Sequence, residues 1–238
     1  MKKRFKLCLP LLSLFVLISS TAAQAGIYWE SEVTTKGMPN RPDGTTIEKC
    51  YYTSGACRIE PGNGQIMIMN FDTMSMYQLD TASKTYRETK LNELADKMPK
   101  MDPEAQKKIM GSAFESMQVT PTEETRTIEG YKCRKYEVSV MSMKSEYWVA
   151  KDVAGYEELK AIGERMAKSF EANPMLRQMN TTGIMNKVQG FPVQVVNHVM
   201  GGQTIRTLKK IEKENLSEDL FKVPGDYTLK QTTRPQQR

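Results

Sequence analysis

Two hydrophobic periods divide the chain. Between residues 27 and 89 apolar side chains recur at every second position in short runs, and Gly, Pro, Asn and Asp punctuate them. Alternation of this kind marks half-buried strands. It predicts strands over 27–35, 45–52, 56–60, 65–71, 75–79 and 85–89, with no helix between them, which is the pattern of an antiparallel meander. The period then changes. Asp102-Pro103 reads as a helix start, with a capping Asp and Pro at the first helical position. Ile109, Met110, Ala113, Phe114 and Met117 follow at helical spacing. Strands resume over 119–128, 131–141 and 144–150. A second helical region runs from Tyr156 to Lys187, striped by Leu159, Ile162, Met166 and Phe170. It is broken at Asn173-Pro174 and continued by Met175, Leu176 and Met179. Strands over 191–200 and 203–213 flank Gly201-Gly202, a hairpin signal, and 216–220 reads as a helical turn.

This order predicts an α+β fold, a single curved antiparallel sheet of about ten strands. The two helical insertions cover its concave face. A curled sheet buries both helical stripes and one strand face at once.

The first 25 residues stand outside this pattern. Lys2, Lys3, Arg4 and Lys6 precede an apolar run from Leu7 to Ile18, and Ala23-Gln24-Ala25 supplies a small-x-small cleavage pattern. These are the parts of a secretory signal peptide cut after Ala25. The run falls short of the roughly 20 apolar residues that span a bilayer. Cys8 lies inside it rather than at its end, so it does not read as an acylation site. The expected product is a soluble periplasmic chain without a stable membrane anchor. Its domain covers 26–230, and a mobile polar tail covers 231–238.

Export also changes the charge. The chain carries 34 Lys and Arg against 28 Asp and Glu, and four of the cations belong to the leader. The remaining 30 against 28 leave no clustered basic face, so a nucleic-acid partner is not expected. Three cysteines remain. Cys50 and Cys57 flank Thr53-Ser54-Gly55, which reads as a hairpin turn, and form the disulfide candidate. Cys133 is then left over. The single histidine, His198, has no nucleophile motif beside it. The Gly-x-Ser-x-Gly, His-Glu-x-x-His and phosphate-loop patterns are absent. No enzyme, resident metal or cofactor is expected.

Methionine is the outlier of composition, with 17 residues. Met67/Met69, Met74/Met76 and Met141/Met143 form Met-x-Met pairs, which place two thioethers on one strand face. Such pairs suit Cu(I) or fill an adaptable apolar cavity. Cavity lining is the favoured reading. The candidates are Met67, Met69, Met74, Met76, Phe114, Val138, Val140, Trp148 and Phe170.

Four segments carry a family resemblance. They are Gly130 to Val138, Glu146 to Asp152, the cadence from Met67 to Tyr86, and the closing Leu220-Phe221-Lys222-Val223-Pro224-Gly225-Asp226-Tyr227. They resemble the domain of unknown function 4412 family of exported bacterial proteins, which is similar in turn to the lipoprotein carrier LolA and its relatives. The resemblance implies a half-open antiparallel barrel whose helix-covered cavity takes up acyl chains. Arg58, Arg134 and Arg206 lie on predicted strands, and no motif matches one of them to the LolA cavity arginine. The functional expectation is a periplasmic binding protein for a lipid or for the acyl chains of a lipoprotein. The alternatives are an envelope protein–protein interaction or sensing module and, behind it, a Met-based Cu(I) carrier.

Overall fold

The structure, a computed structural model, describes residues 23–39, 41–91, 117–140, 143–171, 187–199 and 201–230, without the side chains of 169–171. The first six strands follow the punctuation of the sequence closely: β1 (Ala23–Lys36), β2 (Gly44–Thr53), β3 (Ala56–Glu60), β4 (Gln65–Asn70), β5 (Ser75–Asp80) and β6 (Thr85–Lys90). Then come β7 (Gln118–Ile128), β8 (Tyr131–Val140), β9 (Met143–Ala150), helix α1 (Tyr156–Glu171), β10 (Phe191–Val199), β11 (Gly202–Ser217) and β12 (Thr228–Leu229).

All twelve strands form one open sheet in the order β12-β6-β5-β4-β3-β2-β1-β11-β10-β9-β8-β7. Hairpins build the two halves outward from the centre, where β1 pairs with β11 along its whole length. The pairing is antiparallel throughout except between β12 and β6. An open sheet this wide does not stay flat. Bulges at Glu30/Ser31 in β1 and at Pro192/Gln194 in β10 add local bends.

Two expectations need correction. The sheet has twelve strands rather than about ten: every strand read from the sequence is present, and β12 is a two-residue parallel addition that no local pattern marks. Among the described residues there is one helix, α1, rather than two helical insertions. The helix expected over 103–117 lies outside the described residues apart from Met117, as do the Asn173-Pro174 segment and the tail. The second helical region does begin at Tyr156 as expected. The turn expected over 216–220 is a 3₁₀ turn, Glu218–Phe221, capped by Ser217.

Side chains two apart on a strand share a face, so the register assigns each face of the sheet. On one side lie Trp29 and Ser31, then Glu48, Cys50 and Tyr52, then Cys57 and Ile59, then Met67 and Met69. Helix α1 packs against this side. Gly155 sets its start: the residue has φ +79°, and a Cβ there would meet Ile27 Cδ1 at 2.8 Å. An ion pair from Glu158 to Lys213 ties the first turn of α1 to β11. Further along, Arg165 reaches Asp72 at 3.6 Å in the β4–β5 turn.

The other side carries Arg58, Ile68, Tyr77 and Leu79. Here the chain from Ser217 to Leu229 runs from the sheet centre to β6. Arg58 Nη1 donates to the Leu220 carbonyl at 3.0 Å and holds that crossing down.

Candidate functional site

Between α1 and the sheet lies a cavity of about 480 Å³. Its floor comes from β1, β2, β3, β9, β10 and β11, and its roof from one face of α1. Alternation in the strands and helical spacing in α1 place the same kinds of side chain toward it. Trp29, Tyr52, Ile59, Tyr147, Phe191 and Val195 come from the sheet; Tyr156, Leu159, Ile162 and Met166 come from the helix. Trp29 stacks on Tyr52 with ring centroids 4.9 Å apart and meets Phe191 edge-on at 6.1 Å. The volume falls within the range of small-molecule sites, and so does the ratio of many apolar groups to few polar ones.

The charged lining residues are Glu48, Arg206, Lys160 and Glu164. Arg206 binds Glu48 with two near-parallel contacts, Nε to Oε1 at 2.9 Å and Nη2 to Oε2 at 3.0 Å. The Glu48 side chain is 12% exposed and that of Arg206 is 47% exposed, so the pair runs from the wall toward solvent. Cys50 also lines the cavity. Burial pushes its thiol well up, with the Glu48 carboxylate adding to the rise and Arg206 opposing it. Burial likewise raises the hydroxyls of Tyr52 and Tyr147. These groups are therefore neutral at physiological pH, and none is poised as a nucleophile.

None of the sequence-derived cavity candidates that the structure describes lines this cavity. Met69, Met74 and Met76 gather instead around Leu91 with Met166, at the far end of α1. Met166 belongs to both groups and joins that cluster to the cavity. Met67 stands opposite Ile59, a lining residue. Trp148 is buried on the other face of β9 from Tyr147, beneath the Arg126 guanidinium at 3.7 Å. Val138 is buried within β8 and Val140 is half-buried at its end. Phe114 and the side chain of Phe170 lie outside the described residues.

Cys50 and Cys57 do share a face of the expected hairpin, but the register sets Cys57 opposite Tyr52 and Cys50 opposite Ile59. They are diagonal rather than facing neighbours. The disulfide candidate is thus not a bonded pair here: both are free, buried thiols. Cys133 is also free and buried. His198 is half-exposed, 3.8 Å from Glu146.

Sequence reasoning missed Glu48, and it named Arg206 only beside Arg58 and Arg134, with nothing to single it out. Glu48 and Arg206 are 158 positions apart, and no local signal links them. The helix stripe of Leu159, Ile162 and Met166 was visible as a stripe but not as a cavity roof. A second depression, of about 660 Å³, lies at the β7–β8 edge between Arg126, Lys132, Arg134, Lys151 and Asp152. Its rim is charged, and buried Cys133, Tyr136 and Val149 form its base.

Among the described residues, a single open sheet and one helix enclose an apolar cavity. The chain belongs to the family described as Domain of unknown function (DUF4412), whose model matches residues 40–227. No curated protein matches it in sequence.

Among solved structures it is similar to PNGF-II, at 13% identity and TM-score 0.40, over 87% of this chain. This chain spans only 31% of the length of PNGF-II. It is also similar to an uncharacterized conserved protein from Thermus thermophilus, at 9% identity and TM-score 0.47, covering 85% of this chain and 88% of that one. A third similar structure is the LolA superfamily protein NE2245 from Nitrosomonas europaea, at 10% identity and TM-score 0.33, with 84% and 90% covered. Likenesses this distant carry no argument about function. Among the described residues no helix is long and apolar enough to cross a membrane.

Proposed function

We propose that the protein is exported to the periplasm, released by cleavage after Ala25, and binds an acyl chain of a lipid or lipoprotein in the cavity beneath α1. The observation that carries this reading is the cavity itself, about 480 Å³ walled by Trp29, Tyr52, Ile59, Phe191, Leu159 and Ile162. Burying an acyl chain stabilises the complex by about 0.8 kcal/mol per CH₂, so roughly ten buried carbons support micromolar affinity. The outer end of Arg206 is half-exposed beside this apolar lining, well placed to meet an acidic headgroup.

The reading is non-enzymatic. Burial raises the Cys50 thiol rather than activating it. Cleavage after Ala25 is compatible with the sheet, since it removes three residues from one end of β1 and leaves Gly26 as the new terminus. A Cβ at Gly26 would lie 2.6 Å from the Tyr52 carbonyl oxygen, so a glycine is required at that position.

The test is native mass spectrometry of protein prepared from periplasm, combined with uptake of a fluorescent palmitate analogue. Co-purifying lipid and saturable uptake are expected. An empty protein that takes up no analogue overturns the acyl reading. A specific envelope protein captured by cross-linking with the cavity empty would mark an interaction module in its place.

A further inference from the structure

The acyl-binding reading leaves unused a line of sulfur atoms under the far half of α1. Cys57 on β3 stands directly opposite Met69 on β4, and Met69 stands directly opposite Met76 on β5. Facing residues hold their Cβ atoms about 4.5–5.5 Å apart on one face of a sheet, so these three side chains project together. Met74 joins from the β4–β5 turn and Met166 from α1, both packed with Met69 and Met76 around Leu91.

Two details separate this cluster from ordinary core filling. The first is the backbone of Met74. The β4–β5 and β5–β6 turns are built alike: Asn70 Oδ1 accepts from the backbone N–H groups of Asp72 and Thr73, and Asp80 Oδ1 accepts from those of Ala82 and Ser83. Each turn closes on a left-handed residue, Met74 at φ +51° and Lys84 at φ +48°. Gly or Asn is favoured there. Lys84 points outward to Asp226, whereas Met74 turns its thioether in toward Leu91. A strained position kept by a long apolar side chain points to a use for that side chain.

The second detail is the environment of Cys57. It is buried, and across the sheet it faces Tyr52 on β2 and Met69 on β4. This sets the thiol in line with the thioethers on one face of the sheet instead of alone in the core. The thioethers stay reachable, since Met69, Met74 and Met76 are only half-buried.

We propose that this cluster binds Cu(I), with Cys57 as thiolate and Met69 and Met76 as thioether ligands and Met74 or Met166 completing the shell. Soft sulfur donors select Cu(I). Harder divalent ions need a different set, and no group of three or more His, Cys, Asp and Glu that could hold a metal occurs among the described residues. On binding, the S–Cu bond forms, the Cys57 S–H bond breaks and its proton leaves to solvent. The resulting copper–thiolate unit is neutral, which suits apolar surroundings.

The test titrates the reduced mature chain with Cu(I) against a chromophoric Cu(I) chelator, with proton release followed in weak buffer. One ion withdrawn per chain and one proton released per ion are expected. Leucine nearly conserves methionine volume, so the M69L/M76L variant should keep its fold by circular dichroism. It should bind Cu(I) at least about 10- to 100-fold more weakly, because losing two ligands costs no less than losing an outer-shell partner. C57S should lose the proton release. M143L, at an exposed position on β9, should bind as wild type does. The proposal is overturned if wild type withdraws no more Cu(I) than M69L/M76L, or if C57S still releases a proton per ion. Uptake of the palmitate analogue by M69L/M76L should stay at the wild-type level, so failure here is distinct from failure of the acyl reading.

Discussion

The two faces of the sheet are finished in opposite ways. On the Arg58 face, Ile68 and Leu79 are sealed to 0% exposure, and the chain's own segment from Ser217 to Leu229 crosses that side of the sheet. On the α1 face, aromatic and aliphatic side chains of similar character surround about 480 Å³ of open space. Protein interiors are normally packed to the density of organic crystals. The first face behaves as such an interior. The second retains an apolar void, and that contrast locates the binding function proposed for this chain.

The comparison is broken most forcefully from the sealed side. Ile68→Ala leaves a hole where every neighbour is already packed, and should cost about 2–5 kcal/mol, read as a lower midpoint in urea. Ile59→Ala, facing the existing void, should cost clearly less. Equal losses would mean that the two faces are packed alike.

Alkaline pH should act next, and on the open face. Burial pushes the Cys57 thiol from 9.0 up to about 11, with bonds from Tyr52 and Met69 opposing the rise. Above its ordinary value the unfolded chain releases this proton first, so the unfolded state binds fewer protons and stability falls as pH rises. The contribution is complete below about pH 9 and is lost by about pH 11, a change on the order of 2–3 kcal/mol. Denaturation midpoints across that window should fall, and C57S should flatten part of the slope. Tyr52 and Tyr147, also raised by burial, act in the same direction.

Arg206→Met should cost about 1–3 kcal/mol, because it leaves the largely buried Glu48 carboxylate without its bidentate partner. Adding Glu48→Gln should recover most of that loss. A double variant no more stable than the single one would show that the pair is not coupled.

The smallest effect sharpens the contrast best. Gly163 lies on α1 and lines the cavity. Gly163→Leu should gain up to about 1 kcal/mol of helix propensity while filling the void, so stability rises as uptake of the palmitate analogue falls. A variant that lost stability together with uptake would show that the space is not free.

The legible parts of this molecule are those with local causes. Strand β3 falls at 56–60 in both readings because breakers bound it tightly, Thr53-Ser54-Gly55 on one side and Pro61-Gly62-Asn63-Gly64 on the other. Helix α1 starts at Tyr156 as its stripe requires. Hairpin order and the turn after Ser217 are likewise local. The cavity residues were less legible. An alternating strand has two faces of comparable apolarity here, since Ile66 and Ile68 oppose Met67 and Met69 on the same strand. Alternation therefore states that faces exist without saying which one is sealed.

By itself, then, the sequence determined the sheet's elements and their antiparallel succession, because each depends on propensities and periods a few residues long. Only the tertiary structure decided which face the chain covers with its own C-terminal segment and which it leaves hollow. It alone brought Arg206 to Glu48 and lined Cys57, Met69 and Met76 across three strands. Those outcomes depend on register between distant segments, and a one-residue slip would exchange the two faces of a strand.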